Sequence, residues 1–279
     1  MLERTLDSVA AQTLEPAEVV VVDDCSSPPL DSLVSPPPDP HVRVVRNQTN
    51  LGTPRTVARG VRETTSPLVA IVNDDDFWAP DFLERLTAAL LSAPGAVVAF
   101  CDHHVVDGHG RILGDLTEAT SRAFGRDGRA AGPVADLARA ALVDRSVAAM
   151  SFAVVRREAI RIDLIERGGP AWDLFLALSV VLSGGSGVYV ADRLGFYGSH
   201  EGSVSAMGND PARRWRSLAC HADAKRIALA TPELETVHRP LRRNLLRLSL
   251  AGARAAVQAR RPGDLGRSLT WALAAVRPG

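Results

Sequence analysis

A chain of 279 residues, 46% hydrophobic and 23% charged, is long enough to bury the core of one large α/β domain with a helical appendage, and is too apolar for a disordered chain. Its 32 basic and 32 acidic side chains cancel, so no long-range field gathers nucleic acid or an anionic membrane, and any anionic ligand must be caught locally. Three widely spaced cysteines, Cys25, Cys101 and Cys220, exclude a disulfide framework and a CxxC-type zinc site.

Leu2, Leu6, Val9 and Ala10 recur at helical spacing, and the β-branched run Val19 to Val22 then reads as a strand ending in Asp23-Asp24. Six prolines between Pro28 and Pro40 mark a surface loop, after which His41 to Arg46 alternates as a strand. Asn50-Leu51-Gly52 is a turn, and Pro54 suits the first turn of a helix reaching about Thr64. Leu68 to Val72 is a buried strand ending at Asn73-Asp74-Asp75-Asp76, and Pro80 opens the next helix. Ala96 to Cys101 is a further strand, followed by a turn at Asp107-Gly108-His109-Gly110. Met150 to Val155 reads as a strand, Trp172 to Leu182 as a helix, and Val188 to Val190 and Leu194 to Tyr197 as two short strands. From Ala212 onward the periodicity is helical, with breaks expected at Pro232, Pro240 and Pro262. Strands alternating with helices imply a mainly parallel sheet flanked by helices, with ligands beyond the carboxyl ends of its strands.

Both acidic runs fall at such ends. Three consecutive carboxylates repel one another and resist burial unless a cation compensates. A helix N-terminus accounts for one of Asp74, Asp75 and Asp76, not for all three. Carboxylates suit Mn²⁺ or Mg²⁺, which take one or two protein ligands and complete their shell with phosphate and water. Asp23-Asp24-Cys25-Ser26-Ser27 fits either a plain turn or a carboxylate that accepts from a ribose or a base N–H. The adjacent His103 and His104 point to opposite sides of a strand, which argues against zinc. The Arg213, Arg214, Arg216 cluster reads as a solvated helix face, and the single lysine, Lys225, reflects an arginine-biased composition.

Taken in order, Leu6 to Thr13, Val19 to Ser26, Asn50-Leu51-Gly52, Asn73 to Trp78 with Pro80, and Phe196-Tyr197-Gly198-Ser199-His200 resemble the family 2 glycosyltransferases of GT-A fold. The resemblance covers about three quarters of the chain, from Met1 to Ser205. It implies an inverting transfer of a sugar from a nucleotide-diphosphate donor, a UDP-sugar in the first instance, to an acceptor hydroxyl. Together with the change to helical periodicity after Asn209, it gives a division into a nucleotide-sugar-binding and catalytic domain over 1–209 and a helical C-terminal extension over 210–279.

Position by position, the resemblance gives Asp24 to the nucleobase with Asp23 beside it. It gives Asp75 to the metal, Asp74 to the vicinity of the ribose, Asp76 to support of the site and His200 to the diphosphate. The general base is expected just before a Trp-containing helix, where strict register gives Ala171. Asp173 is the only carboxylate in that motif, and Asp102, after the Ala96 to Cys101 strand, is the reserve. The family's arginine after the Asn-x-Gly turn falls at Val57, leaving Arg55 for the diphosphate with Arg59 nearby. The late arginine falls at Gly198. The family's first strand, ending in Pro-Thr or Pro-Ser, has no counterpart ahead of the first helix, so either the true start lies upstream of Met1 or the site is incomplete.

Two other functions fit part of the pattern. A non-catalytic nucleotide-sugar-binding or scaffold protein would bind donor without transfer, and a nucleotidyltransferase would need a glycine-rich triphosphate loop that the chain lacks. The lack of a signal-like segment or an apolar run of about 18 residues points to a cytoplasmic protein. The expected partners are the donor and a hydroxyl acceptor that is a saccharide, lipid-linked or a small molecule, with no nucleic acid and with room for a homo-oligomer.

Overall fold

A computed structural model describes residues 1–30, 42–147, 149–200 and 210–276. The first layer is small. Strand β1 (Val19–Asp23) pairs in parallel with β2 (Val42–Arg46), so that Asp23 lies opposite Arg46. Helix α1 (Leu2–Ala10) precedes this pair, and α2 (Thr53–Glu63) follows it, close enough to β1 that a Cβ on Gly60 would touch Val22. Gly52 enters α2 at φ 79°, a conformation glycine adopts without steric cost.

The main sheet contains β3 (Leu68–Ala70), β4 (Phe77–Trp78), β5 (Ala96–Val106), β6 (Gly132–Val134), β7 (Ala153–Arg156) and β8 (Ser186–Gly198). Its order is β3-β7-β5-β8-β4, with β6 also on β8. Only β5 and β8 are parallel; the pairs β3–β7, β5–β7, β4–β8 and β6–β8 are antiparallel. The expected mainly parallel sheet is therefore a mixed one. Apolar strand runs look alike in the two arrangements, because both faces of a covered sheet are buried whichever way its strands point.

Strand β5 is buried along almost its whole length and carries the centre of the molecule. On one face it packs against α5 (Leu137–Leu142) and α7 (Trp172–Leu182); on the other lies α3 (Phe82–Ser92), with Phe82, Leu86 and Leu90 against Trp78 and Phe152. Helix α7 is apolar nearly all round, as a helix enclosed on every side must be. Helix α4 (Gly114–Ala123) lies against β5 and α6 (Ile162–Arg167) against α7 and α2; neither was legible as an element.

The chain ends in α8 (Pro211–Leu229), α9 (Glu235–Gln258) and α10 (Pro262–Val276). Ala224, Ala228, Val237 and Leu241 join the same core as β5 and α7, while Trp215, Leu245, Ala256 and Trp271 form a small core of their own. Pro240 does not break a helix but sits inside α9 near its start, where it forfeits one backbone hydrogen bond. Several strand boundaries also differ from expectation: β3 ends at Ala70 rather than Val72, and Met150–Phe152 forms a 3₁₀ turn ahead of β7. The strand expected to stop at Cys101 runs on to Val106, and the two short strands after Val188 are one, with register shifts opposite Cys101 to His103.

Candidate functional site

Asp23 and Asp24, at the end of β1, both accept hydrogen bonds from the chain's own loops. Asp23 accepts from Ser26 N (2.9 Å), Ser26 Oγ (2.6 Å) and Leu30 N (3.3 Å) and pairs with Arg46. Burial pushes its carboxyl up, but these donors outweigh it and hold the pKa down to about 2. Asp24 accepts from Asn47 Nδ2 (2.7 Å), Leu51 N (2.8 Å) and Gly52 N (2.8 Å), and they outweigh its burial and keep it below the ordinary range. The Asn50-Leu51-Gly52 turn thus hangs on Asp24. Arg59 donates to Asn47 Oδ1 and to Arg46 O, bracing the same turn, whereas Arg55 is exposed in the first turn of α2.

The second group gathers where β3 leads into β4 and where β8 ends. Asp74 is exposed, Asp75 partly buried and Asp76 fully buried. Asp76 accepts from Gly198 N (3.0 Å) and Asn73 Nδ2 (3.0 Å), and its carbonyl accepts from Thr5 Oγ1 of α1 (2.7 Å). Asn73 Nδ2 also donates to Ser151 Oγ (3.0 Å), in a short 3₁₀ turn ahead of β7. Burial, followed by the charge of Asp75, pushes Asp76 up to about 7. Asp75 points elsewhere, with Oδ2 3.2 Å from His200 Nε2; burial and then the Asp74 charge raise its pKa against the opposing pull of His200. Residues 125 apart in sequence meet because β8 reaches its end beside the Asp74–Asp76 turn, where Ser199 N donates to Val106 O (2.8 Å).

Gly198 is part of this construction. A Cβ there would lie 2.2 Å from the Asp75 carbonyl oxygen, so no side chain fits, and the arginine that the family pattern places at this position is excluded by the close approach of the two backbones. Ser151, Asn73 and Thr5 also belong to the constellation. No sequence signal marks Ser151 or Thr5, whose partners lie more than 70 residues away.

The general-base candidates fare differently. Asp102 is not on the rim: β5 continues four residues beyond it, about 13 Å of strand. Its carboxylate is buried against Ser121 Oγ, Arg193 Nε (3.1 Å) and Arg126 Nη1 (3.6 Å), and burial is outweighed by these partners so that it stays ionised. A polar cavity of about 470 Å³ beside it, lined by Arg85, His104, Arg126, Arg129 and Arg193 among others, includes none of Asp23, Asp24, Asp74, Asp75, Asp76 or His200. Asp173 opens α7, partly buried, and its Oδ1 accepts from Leu174 N (2.8 Å). No hydrogen bond or ion pair among the described residues joins it to Asp75. His103 is buried against Phe152 and His104 stacks on Phe196, on opposite faces of β5.

Among the described residues no three His, Cys, Asp or Glu side chains converge as a metal cage. The donor set nevertheless suits a hard cation held mainly by a ligand. Asp75 and Asp74 repel each other in a partly desolvated turn, a repulsion that a divalent cation completing its shell from phosphate and water would relieve.

A model of the family described as Glycosyl transferase family 2 matches residues 1–161. The succinoglycan biosynthesis protein ExoO of Rhizobium meliloti (strain 1021) is 35% identical over 116 residues, 42% of this chain and 33% of that protein. The uncharacterized glycosyltransferase YwdF of Bacillus subtilis (strain 168) is 28% identical over 102 residues, 34% of this chain and 37% of that one. The matches thus span about a third of the length of these relatives. Among solved structures, S. aureus TarS 1–349 in complex with UDP superposes with a TM-score of 0.57 at 15% identity, over 98% of this chain and 84% of that one. The mannosyltransferase PcManGT from Pyrobaculum calidifontis, in complex with GDP-Man and Mn²⁺, gives 0.57 at 18% identity over 100% and 72%. At such identities the likeness is one of fold.

Proposed function

Because the chain belongs to glycosyltransferase family 2, we propose that it transfers a sugar from a nucleoside diphosphate donor, a UDP-sugar in the first instance, to an acceptor hydroxyl with inversion at the anomeric carbon. The observation that carries this reading is the meeting of Asp75 with His200 over the buried, backbone-anchored Asp76.

Asp75, with Asp74 beside it, would hold Mn²⁺ or Mg²⁺ against the diphosphate; bound there, the cation supplies positive charge that offsets the charge gathering on the leaving group. His200, beside Asp75, would reach the same phosphates, and Arg55 would extend to them from α2. Asp76 fixes the turn by accepting from Gly198 N, so that Asp75 is presented outward. Asp24 serves by holding the 47–52 turn in shape as one wall of the nucleotide pocket, and Asp23 by tying Ser26 and Leu30 to Arg46 beside it, since their oxygens are already engaged. Asp173 accepts the proton of the acceptor hydroxyl as that oxygen attacks C1 and the bond from C1 to the diphosphate oxygen breaks. Attack opposite the leaving group inverts the centre. The neighbours in complex with UDP and with GDP-Man and Mn²⁺ support a nucleotide donor without deciding the base.

Calorimetric titration of UDP and GDP, with and without Mn²⁺, on the native chain and on Asp75→Ala tests the donor site. Metal-dependent binding lost in Asp75→Ala is the expected result; no binding of either nucleotide would leave a non-catalytic scaffold as the reading. Asp173→Ala should keep donor binding and lose about 10²- to 10⁴-fold in turnover. Native turnover in that variant would remove Asp173 from the mechanism.

A further inference from the structure

The charge neutrality of the whole chain conceals a segregation. Between Thr236 and Val276 there are eight arginines against one acid, Asp264, while the remainder of the chain carries the balancing negative charge. Asp264 is itself within 3.8 Å of Arg261, and Arg267 lies over the Trp215 ring. Arg239, Arg242, Arg243, Arg247, Arg254 and Arg260 form no ion pair among the described residues, and all but Arg242 are exposed.

The same two helices leave large apolar side chains in solvent. On α9 these are Leu246, Leu250 (66% exposed) and Val257; on α10 they are Leu269, Leu273 (65%) and Val276. Their spacing is that of one helix face in each case. They also fall on one common side of the helical pair. The inward residues are Leu245, Ser249 and Ala256 on α9 and Ser268 and Ala275 on α10, with Ser249 Oγ donating to Ser268 O (2.6 Å). Each exposed residue 246, 250, 257, 269 and 276 directly follows one of these, about 100° further round its helix. Three residues separate the helices, so they run antiparallel, and equal rotations of opposite sense bring both stripes to the same side.

On α9 the stripe is bordered by Arg242 on one flank and by Arg243, Arg247 and Arg254 on the other. We propose that this face of α9 and α10 docks on an anionic lipid bilayer, lying in the interface with its leucines among the acyl chains and its arginines at the headgroups. An apolar stripe flanked by unpaired cations is the chemistry of an interfacial helix. A second copy of the chain is a poorer occupant, because a two-fold contact would set these unpaired arginines against their own copies. The inference is independent of the sugar-transfer reading and concerns residues outside the donor site.

The test is co-sedimentation of the native chain with vesicles of phosphatidylcholine alone and of phosphatidylcholine with phosphatidylglycerol. Binding is expected only to the anionic vesicles, and it should weaken as salt is raised. The double variants Leu250→Asp with Leu273→Asp, and Arg243→Glu with Arg254→Glu, alter only exposed positions. Each should melt like the native chain and bind at least about tenfold more weakly. Failure of the native chain to bind anionic vesicles, or equal binding by both variants, overturns the proposal. A native dimer in size-exclusion chromatography that Leu250→Asp dissociates, without vesicle binding, would assign the face to a second copy instead.

Discussion

Lys225, the only lysine of the chain, offers a test of the fold that needs no ligand. It lies on α8, 6% exposed, with no hydrogen bond or ion pair among the described residues. The acids closest to it in sequence or to its neighbours are engaged elsewhere, Asp223 by Arg167 at 2.7 Å and Asp144 by Arg129 and Arg139. Burial, reinforced by Arg145, brings its pKa from 10.5 to about 8. At about 1.36 kcal/mol per unit, keeping this ammonium in the folded state below that value costs about 3 kcal/mol. Its folded pKa lies below the unfolded one. The cost is therefore complete below about pH 8 and is relieved as pH rises toward the unfolded value, so stability rises across that window. Lys225→Met keeps the aliphatic bulk and removes the charge. In urea unfolding it should exceed the native chain by up to about 3 kcal/mol near neutral pH, with the gap closing by about pH 10. Taking the difference between the two proteins cancels Cys101 and Tyr189, whose pKa values burial pushes up to about 12. A gap that does not change with pH would refute the assignment of an unpaired buried ammonium.

Two further substitutions probe the site. Gly198→Ala should cost about 1–3 kcal/mol and weaken nucleotide binding, because its Cβ meets the Asp75 carbonyl; a native urea midpoint would show that the backbones do not approach as described. Asp24→Ala should speed hydrogen exchange at the Leu51 and Gly52 amides and lower stability by about 1–2 kcal/mol, and unchanged protection there would mean that the turn stands without it.

The sequence by itself determined the elements whose burial is local. The β1 run of valines, the α2 start at Gly52-Thr53-Pro54, the apolar α7 and the three C-terminal helices follow from periodicity and turn chemistry, apart from the start of α9 at Glu235, ahead of the break expected at Pro240. So did the placing of acidic runs at strand ends, because charge clusters with no local structural need stand out in any sequence. The family was legible as well, since its motifs depend on order along the chain.

Tertiary structure alone decided which way the strands of the main sheet point, because the same apolar pattern serves parallel and antiparallel pairs when both faces are covered. It also decided the fate of each acid. Asp76 and Asp75 are adjacent in sequence, yet one turns inward to Gly198 N and the other outward to His200, a division set by a strand that arrives more than 120 residues later. Asp102 looked like a rim acid until β5 proved longer than its apolar run, carried on by His103 and His104, whose rings pack as aromatic side chains rather than mark the end of a strand. Charge balance behaved in the same way: a sum over the chain is zero, and only the packing of α9 on α10 brings the leucines of two helices to one side with arginines along their border.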